Sequence, residues 1–430
     1  MIKAIGIDFG TTNSVVALLD DDGTVTTHRH ASLDVFRSIL CFWTEQLPGR
    51  SILHHAAGPQ AIAAYLDDPQ DSRLIMSMKT YLAQKSFSET RIFGRRFSLE
   101  RLIGCFLRGL LADLPALPRV VVGRPVRFAG EFADDALGAE RLLGAYAEAG
   151  WRDVRLALEP EAAGMRFARG LTEPATVLIG DFGGGTSDFS VMRFDPRGGP
   201  GSSGGSGPNS GGGSGGGRAT IPLGHAGVGI AGDVFDYRVI DRAIAPLLGK
   251  GDTYKVLGNP LPVPPEYYSG FARWHLLSLM RTPRTLRAIA EVARAAQYPE
   301  RLHHLIALIE DGLGYMLYQA VAAAKAELSR ADRTVLQFRH KDFAIAREIT
   351  RAEFESWIQP DLARLAATVD LVLAEAATPP EAIDRVFLTG GTAFVPAVRH
   401  LFEQRFGAGK LAGGGEFVSV AEGLALLGAD

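Results

Sequence analysis

The sequence predicts an α/β protein made of two similar halves that face each other across a cleft. Three observations carry that expectation. The stretch "TVLIGDFGGGTSDFSVMRF" (176–194) restates "AIGIDFGTTNSVVALLD" (4–20): an apolar strand, Asp-Phe-Gly, small hydroxyl residues, then a second strand. A further strand ending in a glycine turn follows in each half, "RVVVGRP" (119–125) and "RVFLTGG" (385–391). Helical periodicity comes after each of these, and strands alternating with helices belong to α/β folds. One Asp-Phe-Gly alone is a strand running into a tight turn. Two of them, each behind an apolar strand and ahead of threonine, suggest paired cradles for phosphate and metal.

Bulk composition sets the limits. With 430 residues the chain has room for two or more domains with separate cores. Hydrophobic residues make up 47% and charged residues 22%, which is ordinary for a globular protein. The formal net charge of −3, without a basic run or aromatic platform, argues against a nucleic-acid partner. Cys41 and Cys105 stand far apart and match no metal spacing, so they fit free buried thiols in a reducing compartment. No charged segment followed by an apolar run opens the chain, and no apolar run reaches membrane-spanning length. The expectation is a cytoplasmic protein without a membrane partner.

Along the chain, residues 1–170 form the first half and 171–430 the second. "DDDG" (20–23) is a hairpin turn, because its contiguous acids do not alternate as calcium ligands would. An irregular stretch, 36–110, reads mostly as helices and as an inserted subdomain. "LEPEAAGMRFAR" (158–169) is a helix bridging the halves, with Pro160 in its first turn, where a missing N–H costs nothing. The tract "GGPGSSGGSGPNSGGGSGGG" (198–217) is a flexible coil, natural or artificial, and its flanks "DFSVMRF" and "RATIPLG" should pair regardless. Segment 233–330 is largely helical, interrupted by "GNPLPVPPEYYSG", and holds a second insert at about 241–320. The last helix, "SVAEGLALL" (419–427), with Ser419 as expected N-cap, returns its apolar face to the interface between the halves.

Asp8-Phe-Gly-Thr-Thr-Asn13, Glu159-Pro160, Asp181-Phe-Gly-Gly-Gly-Thr186-Ser-Asp188 and Leu388-Thr-Gly-Gly391 occur in this order. That ordered set resembles the nucleotide-site signatures of actin-like ATPases. With "AELS" (326–329) and "GIAGDVFD" (229–236) it is similar to the ATPase domain of the seventy-kilodalton heat-shock chaperones. The resemblance covers nearly the whole chain, most strongly 2–19, 119–190 and 320–427. It implies a two-lobed actin-like fold, with duplicated ribonuclease-H-like lobes and inserted subdomains, clamping ATP or ADP with Mg²⁺. It also implies slow ATP hydrolysis coupled to lobe closure and to a protein partner.

The resemblance further implies roles for single residues. Asp8 and Asp181 would hold magnesium, largely through its waters, which suits an ion that dehydrates reluctantly. Gly10, Thr11, Thr12 and Asn13, with Gly183, Gly184, Gly185 and Thr186, would offer backbone N–H groups and hydroxyls to the β- and γ-phosphates. Lys79, in "SMKTYL", would lie near the γ-phosphate, although by its own context it reads equally as an exposed helix lysine. Glu159 would sit near the metal shell, Pro160 at the switch between lobes, and Thr186 and Asp188 on the attacking-water side. Such a set suffices for phosphoryl transfer, which needs positioning and charge stabilisation rather than a covalent nucleophile. Gly232, Lys325, Ser329, Gly390 and Gly391 would form the adenosine side, where Lys325 alone also reads as a solvated residue. Here the chain departs from the family. Ala326 and Phe394 stand where the chaperones carry two arginines against adenine, Ala322 replaces a neighbouring acid, and Ala231 replaces a glycine. Phe394 could still stack on a base.

The sequence carries no β-sandwich for peptide binding after Gly423, so the expectation is a chaperone-like ATPase without its substrate-binding module. Two other functions stay open: a nucleotide-binding scaffold with little hydrolysis, and a small-molecule kinase, such as a sugar kinase, of the same superfold. "GVGIAG" (227–232) satisfies a dinucleotide fingerprint, but a lone match is weak. No His-Arg-Asp loop precedes Asp181, which sets aside a protein kinase.

Overall fold

The structure is a computed structural model and describes all residues except 31–32, 115–118, 131, 196–218, 273–276, 342, 413–417 and 430. Strands β1 (Ile2–Phe9), β2 (Asn13–Asp20), β3 (Val25–Thr27), β4 (Val120–Arg124) and β5 (Val154–Leu158) form one sheet in the order β5-β4-β1-β2-β3. The two-residue strand Phe36–Arg37 also pairs with β2. A second sheet is built from β6 (Ala175–Phe182), β7 (Ser187–Asp195), β8 (Ala219–Val228), β9 (Arg385–Thr389) and β10 (Leu411–Ala412), in the order β10-β9-β6-β7-β8. The two orders are the same. In each sheet the Asp-Phe-Gly strand is antiparallel to its successor, across a short turn, and parallel to the strand that comes back after a long crossover. β6 is buried along its whole length, which explains its continuous apolar run.

Five helices position the site: α1 (Glu159–Ala168), α2 (Gly232–Val239), α3 (Gly314–Leu328), α4 (Arg351–Glu375) and α5 (Ser419–Leu427). Pro160 occupies the first turn of α1, as its missing N–H requires. α1 lies on β6 and β7, α5 lies on β1 and β2, and the two helices pack on each other. Val121 of β4, Ala162 of α1, Ile179 of β6 and Leu424 of α5 share one buried cluster, so this helix pair joins the sheets. Small residues let the backbones come close. A Cβ on Gly423 would fall 1.7 Å from the Ala162 carbonyl oxygen, and one on Gly6 would fall 2.1 Å from that of Ala421.

Several sequence expectations change. The stretch 36–110 is richer in strand than in helix. Leu40–Leu47 pairs with both Arg50–Ala57 and Ser72–Ile75, and a hairpin joins Glu89–Ile92 to Arg95–Ser98. Its segments mix polar and apolar residues without clear period, so cross-strand pairing rather than local pattern decides them. Ser419 is not the cap of α5: Val418 holds that place, and the Ser419 hydroxyl lies 3.0 Å from Thr389 Oγ1. β7 and β8 do pair, out to Asp195 opposite Ala219, while the tract 198–217 lies outside the described residues. Segment 233–330 is helical around one hairpin, Thr253–Val256 with Asn259–Pro262, and both cysteines are free and buried. Among the described residues no single helix is long and apolar enough to cross a membrane.

The α1–α5 contact has a direct test. Gly423→Ala should destabilise the protein by about 1–3 kcal/mol in chemical denaturation, since the added methyl overlaps backbone that cannot yield cheaply. Gly409→Ala, where an added Cβ meets nothing within 4 Å, is the neutral control. Equal stability of the two variants would contradict the close packing.

Candidate functional site

The fold brings the ends of β1 and β6 together. Asp8 lies near the end of β1 opposite Val15, and Asp181 sits on β6 between Asp188 of β7 and Thr389 of β9. The turns behind them meet. A Cβ on Gly184 would stand 2.2 Å from Thr12 Oγ1, so any larger residue would make the Thr12 side chain shift. Gly183 N–H donates to the Thr186 carbonyl at 2.9 Å, which closes the second turn.

A cavity of about 540 Å³ opens at this junction, walled by both sheets and by α2 and α3. Asp8, Gly10, Thr11, Thr12 and Asn13 line it from the first turn, and Asp181, Gly183, Gly184 and Thr186 from the second. Lys79, Glu159, Gly232, Lys325, Ser329, Gly390, Gly391 and Phe394 complete the expected residues on its wall. Gly185 and Asp188 are not on it. Gly185 faces Thr11 and Thr80, while Asp188 is buried and accepts the Val126 and Arg127 N–H groups at 2.9 and 3.3 Å.

Lys79 is not an exposed helix residue. It is buried on the short turn Met78–Tyr81, and its Nζ donates to Glu159 Oε1 at 2.5 Å. Around this pair the charge is unbalanced. Burial and the Glu159 carboxylate push Asp8 up to about 7, with Lys79 opposing the shift. Burial and the Glu159, Asp8 and Asp188 carboxylates push Asp181 well above its ordinary range. Burial, then Glu159, also lifts Asp188 to about 7. Burial alone would lower the Lys79 pKa, but Glu159, Asp8 and Asp181 outweigh it and hold the ammonium charged. Three carboxylates, Glu159, Asp8 and Asp181, therefore act on one ammonium, with Asp188 behind them. Among the described residues no three acidic, His or Cys side chains converge into a metal cage. Carboxylate oxygens on the cavity wall are a donor type that suits a hard divalent cation.

The other end of the cavity is formed by α2, α3 and the loop after β9. Lys325 is not solvated: its Nζ lies 2.6 Å from Asp236 Oδ1 and donates to the Gly232 carbonyl at 3.1 Å. Ala322 and Ala326 line the α3 side, and Phe394, about half exposed, stands on the opposite wall. Among the lining residues without a role in the sequence reading are Arg37, Asp233, Asp236 and Tyr318. Asp233 and Asp236 fall within "GIAGDVFD", which was singled out only for its glycines, whereas nothing local marks Arg37 or Tyr318.

Asp233 gives a pH test. Its carboxyl accepts from Thr12 Oγ1 at 3.3 Å, and burial followed by repulsion from Asp236 raises it to about 7. Between its unfolded value and about 7 the folded state holds the extra proton, so this contribution to stability is full at low pH and is lost as pH rises toward 7. The stability of the ligand-free protein relative to Asp233→Asn should therefore fall from pH 4 to 7, by at most about 1.4 kcal/mol per pH unit. A difference that stays flat or rises over that window in denaturant titrations would contradict the assignment.

Comparison with known proteins places these features in context. Residues 311–429 match the family model described as Hsp70 protein. The chain is 25% identical over 422 residues to the chaperone protein DnaK of Thermus thermophilus, and the same holds for that protein from each of two strains. Those alignments cover 95% of this chain and 57% of each relative, so the chain spans little more than half the length of the curated relatives it matches. By sequence, the chain is similar to the Hsp70 chaperones.

Proposed function

We propose that the cavity binds ATP and ADP with Mg²⁺ and hydrolyses ATP slowly, within a two-lobed actin-like ATPase whose lobe closure is coupled to a protein interaction. The observation that carries this reading is the meeting of the two Asp-Phe-Gly turns beside the buried Lys79–Glu159 pair. Backbone N–H groups and hydroxyls of the two glycine–threonine turns surround a space suited to phosphate oxygens. Lys79 would neutralise charge developing on the terminal phosphate, and Glu159 keeps that ammonium in place. Asp8 and Asp181 would hold the magnesium waters, and the ion would supply charge neutralisation on the phosphate oxygens. Asp188, behind the wall, fixes the Val126–Arg127 backbone against β7. Coupling between lobes would pass through α1, which carries Glu159 and packs on α5.

Asp181→Asn tests this reading. It should abolish magnesium-dependent phosphate release, a loss of several kcal/mol of transition-state stabilisation. Stability of the ligand-free protein should not fall, and at pH 8 it should rise, because one member of the repelling cluster is neutralised. Undiminished phosphate release in the variant would overturn the assignment.

A further inference from the structure

Apart from the exposed Arg330, the charged residues of the cavity fall into two groups. Lys79 interacts with Glu159, Asp8 and Asp181 at one end. Arg37 belongs to the other, where Tyr318, Tyr315 and Asp233 act on it. It reaches the cavity from the two-residue strand Phe36–Arg37, paired opposite Asn13 on β2, outside both repeated turns. Its Nη1 donates to Asn13 Oδ1 at 2.8 Å, and its guanidinium carbon lies 5.8 Å from the centre of the Tyr318 ring. The side chain is partly buried and oriented from two sides. Lys79 and Lys325 each have a carboxylate partner, whereas Arg37 has none among the described residues within 4.0 Å. A guanidinium presents five N–H donors, and the contacts to Asn13, Tyr318 and Tyr315 leave at least two of them over. A partly buried cation that is preoriented and has no carboxylate in direct contact is suited to receive an anion from solution.

We propose that Arg37 is a phosphate-binding residue of this cavity and contacts the diphosphate common to ADP and ATP. The proposal rests on the nucleotide reading above. Arg37 shares Asp233 with Thr12 and Lys325, and is not among the groups that act on the Lys79 cluster, which would meet a terminal phosphate. It therefore contributes to binding of both nucleotides rather than to their discrimination. The contact with Tyr318 of α3 also makes it a bridge between elements of the first and second halves, so a bound diphosphate would tie β2 to α3.

Calorimetric titrations of adenosine, ADP and ATP, with Mg²⁺, into wild type, Arg37→Ala and Arg37→Lys test this. Arg37→Ala should weaken ADP and ATP alike by about 10- to 100-fold, the scale of a lost charge-assisted hydrogen bond. Adenosine, which has no phosphate, should bind the variant as it binds wild type, and Arg37→Lys should recover part of the loss. Unchanged ADP affinity in Arg37→Ala would overturn the proposal. Equal losses for adenosine and ADP in both variants would also overturn it, leaving Arg37 a brace between Asn13 and Tyr318. Wild type that binds adenosine but gains nothing from the diphosphate would refute this assignment alone, whereas failure to bind any of the three would refute the nucleotide reading and the proposal with it.

Discussion

The buried carboxylates at the junction of the two sheets set the terms for the rest of the molecule. Asp8 and Asp181 lie at the ends of equivalent strands of equivalent sheets, and the turns behind them meet where Gly184 lies against Thr12. Glu159 and Asp188 add two more acids, against the single ammonium of Lys79. Burial first, and then the Glu159 carboxylate, raise Asp8 and Asp188 to about 7. Such an arrangement survives where the surrounding scaffold overrides it, and under the proposed function a cation would return part of that energy on binding.

The scaffold that overrides it is the α1–α5 pair. Gly423 on Ala162 and Gly6 on Ala421 allow backbone-to-backbone packing, which ties both sheets to a single helical layer. Glu159 is the first residue of α1, so the same helix that joins the sheets also delivers the partner of Lys79. Structure and charge are thereby linked: a shift of α1 relative to β1 would alter the acid cluster, and a change of charge in the cluster would act back on the helix packing.

Much of this was legible in the sequence because it was written twice. The repeated Asp-Phe-Gly turns and the returning strands before Gly123 and Gly390 correspond to the two sheets of identical strand order. What was not legible depended on distant partners. The burial of Lys79 follows from its pairing with Glu159, eighty positions away, and no local pattern marks it. Arg37 enters through a two-residue strand, too short for any periodic signal. The strands within 36–110 pair through a sheet whose faces are only partly buried, so their hydrophobic alternation is blurred. Ser419 looked like a cap because serine favours that position, but a tertiary hydroxyl contact with Thr389 takes its side chain instead.

The central claim is that the acid cluster awaits a cation brought together with a nucleotide. A calorimetric titration of ADP in excess Mg²⁺, repeated in excess chelator, tests it most directly. With the ion present, the account expects saturable binding. With the ion removed, affinity should fall by at least about tenfold, or 1.4 kcal/mol, because the carboxylates then face the phosphates uncompensated. Equal affinity in the two conditions, or no binding in either, would contradict it.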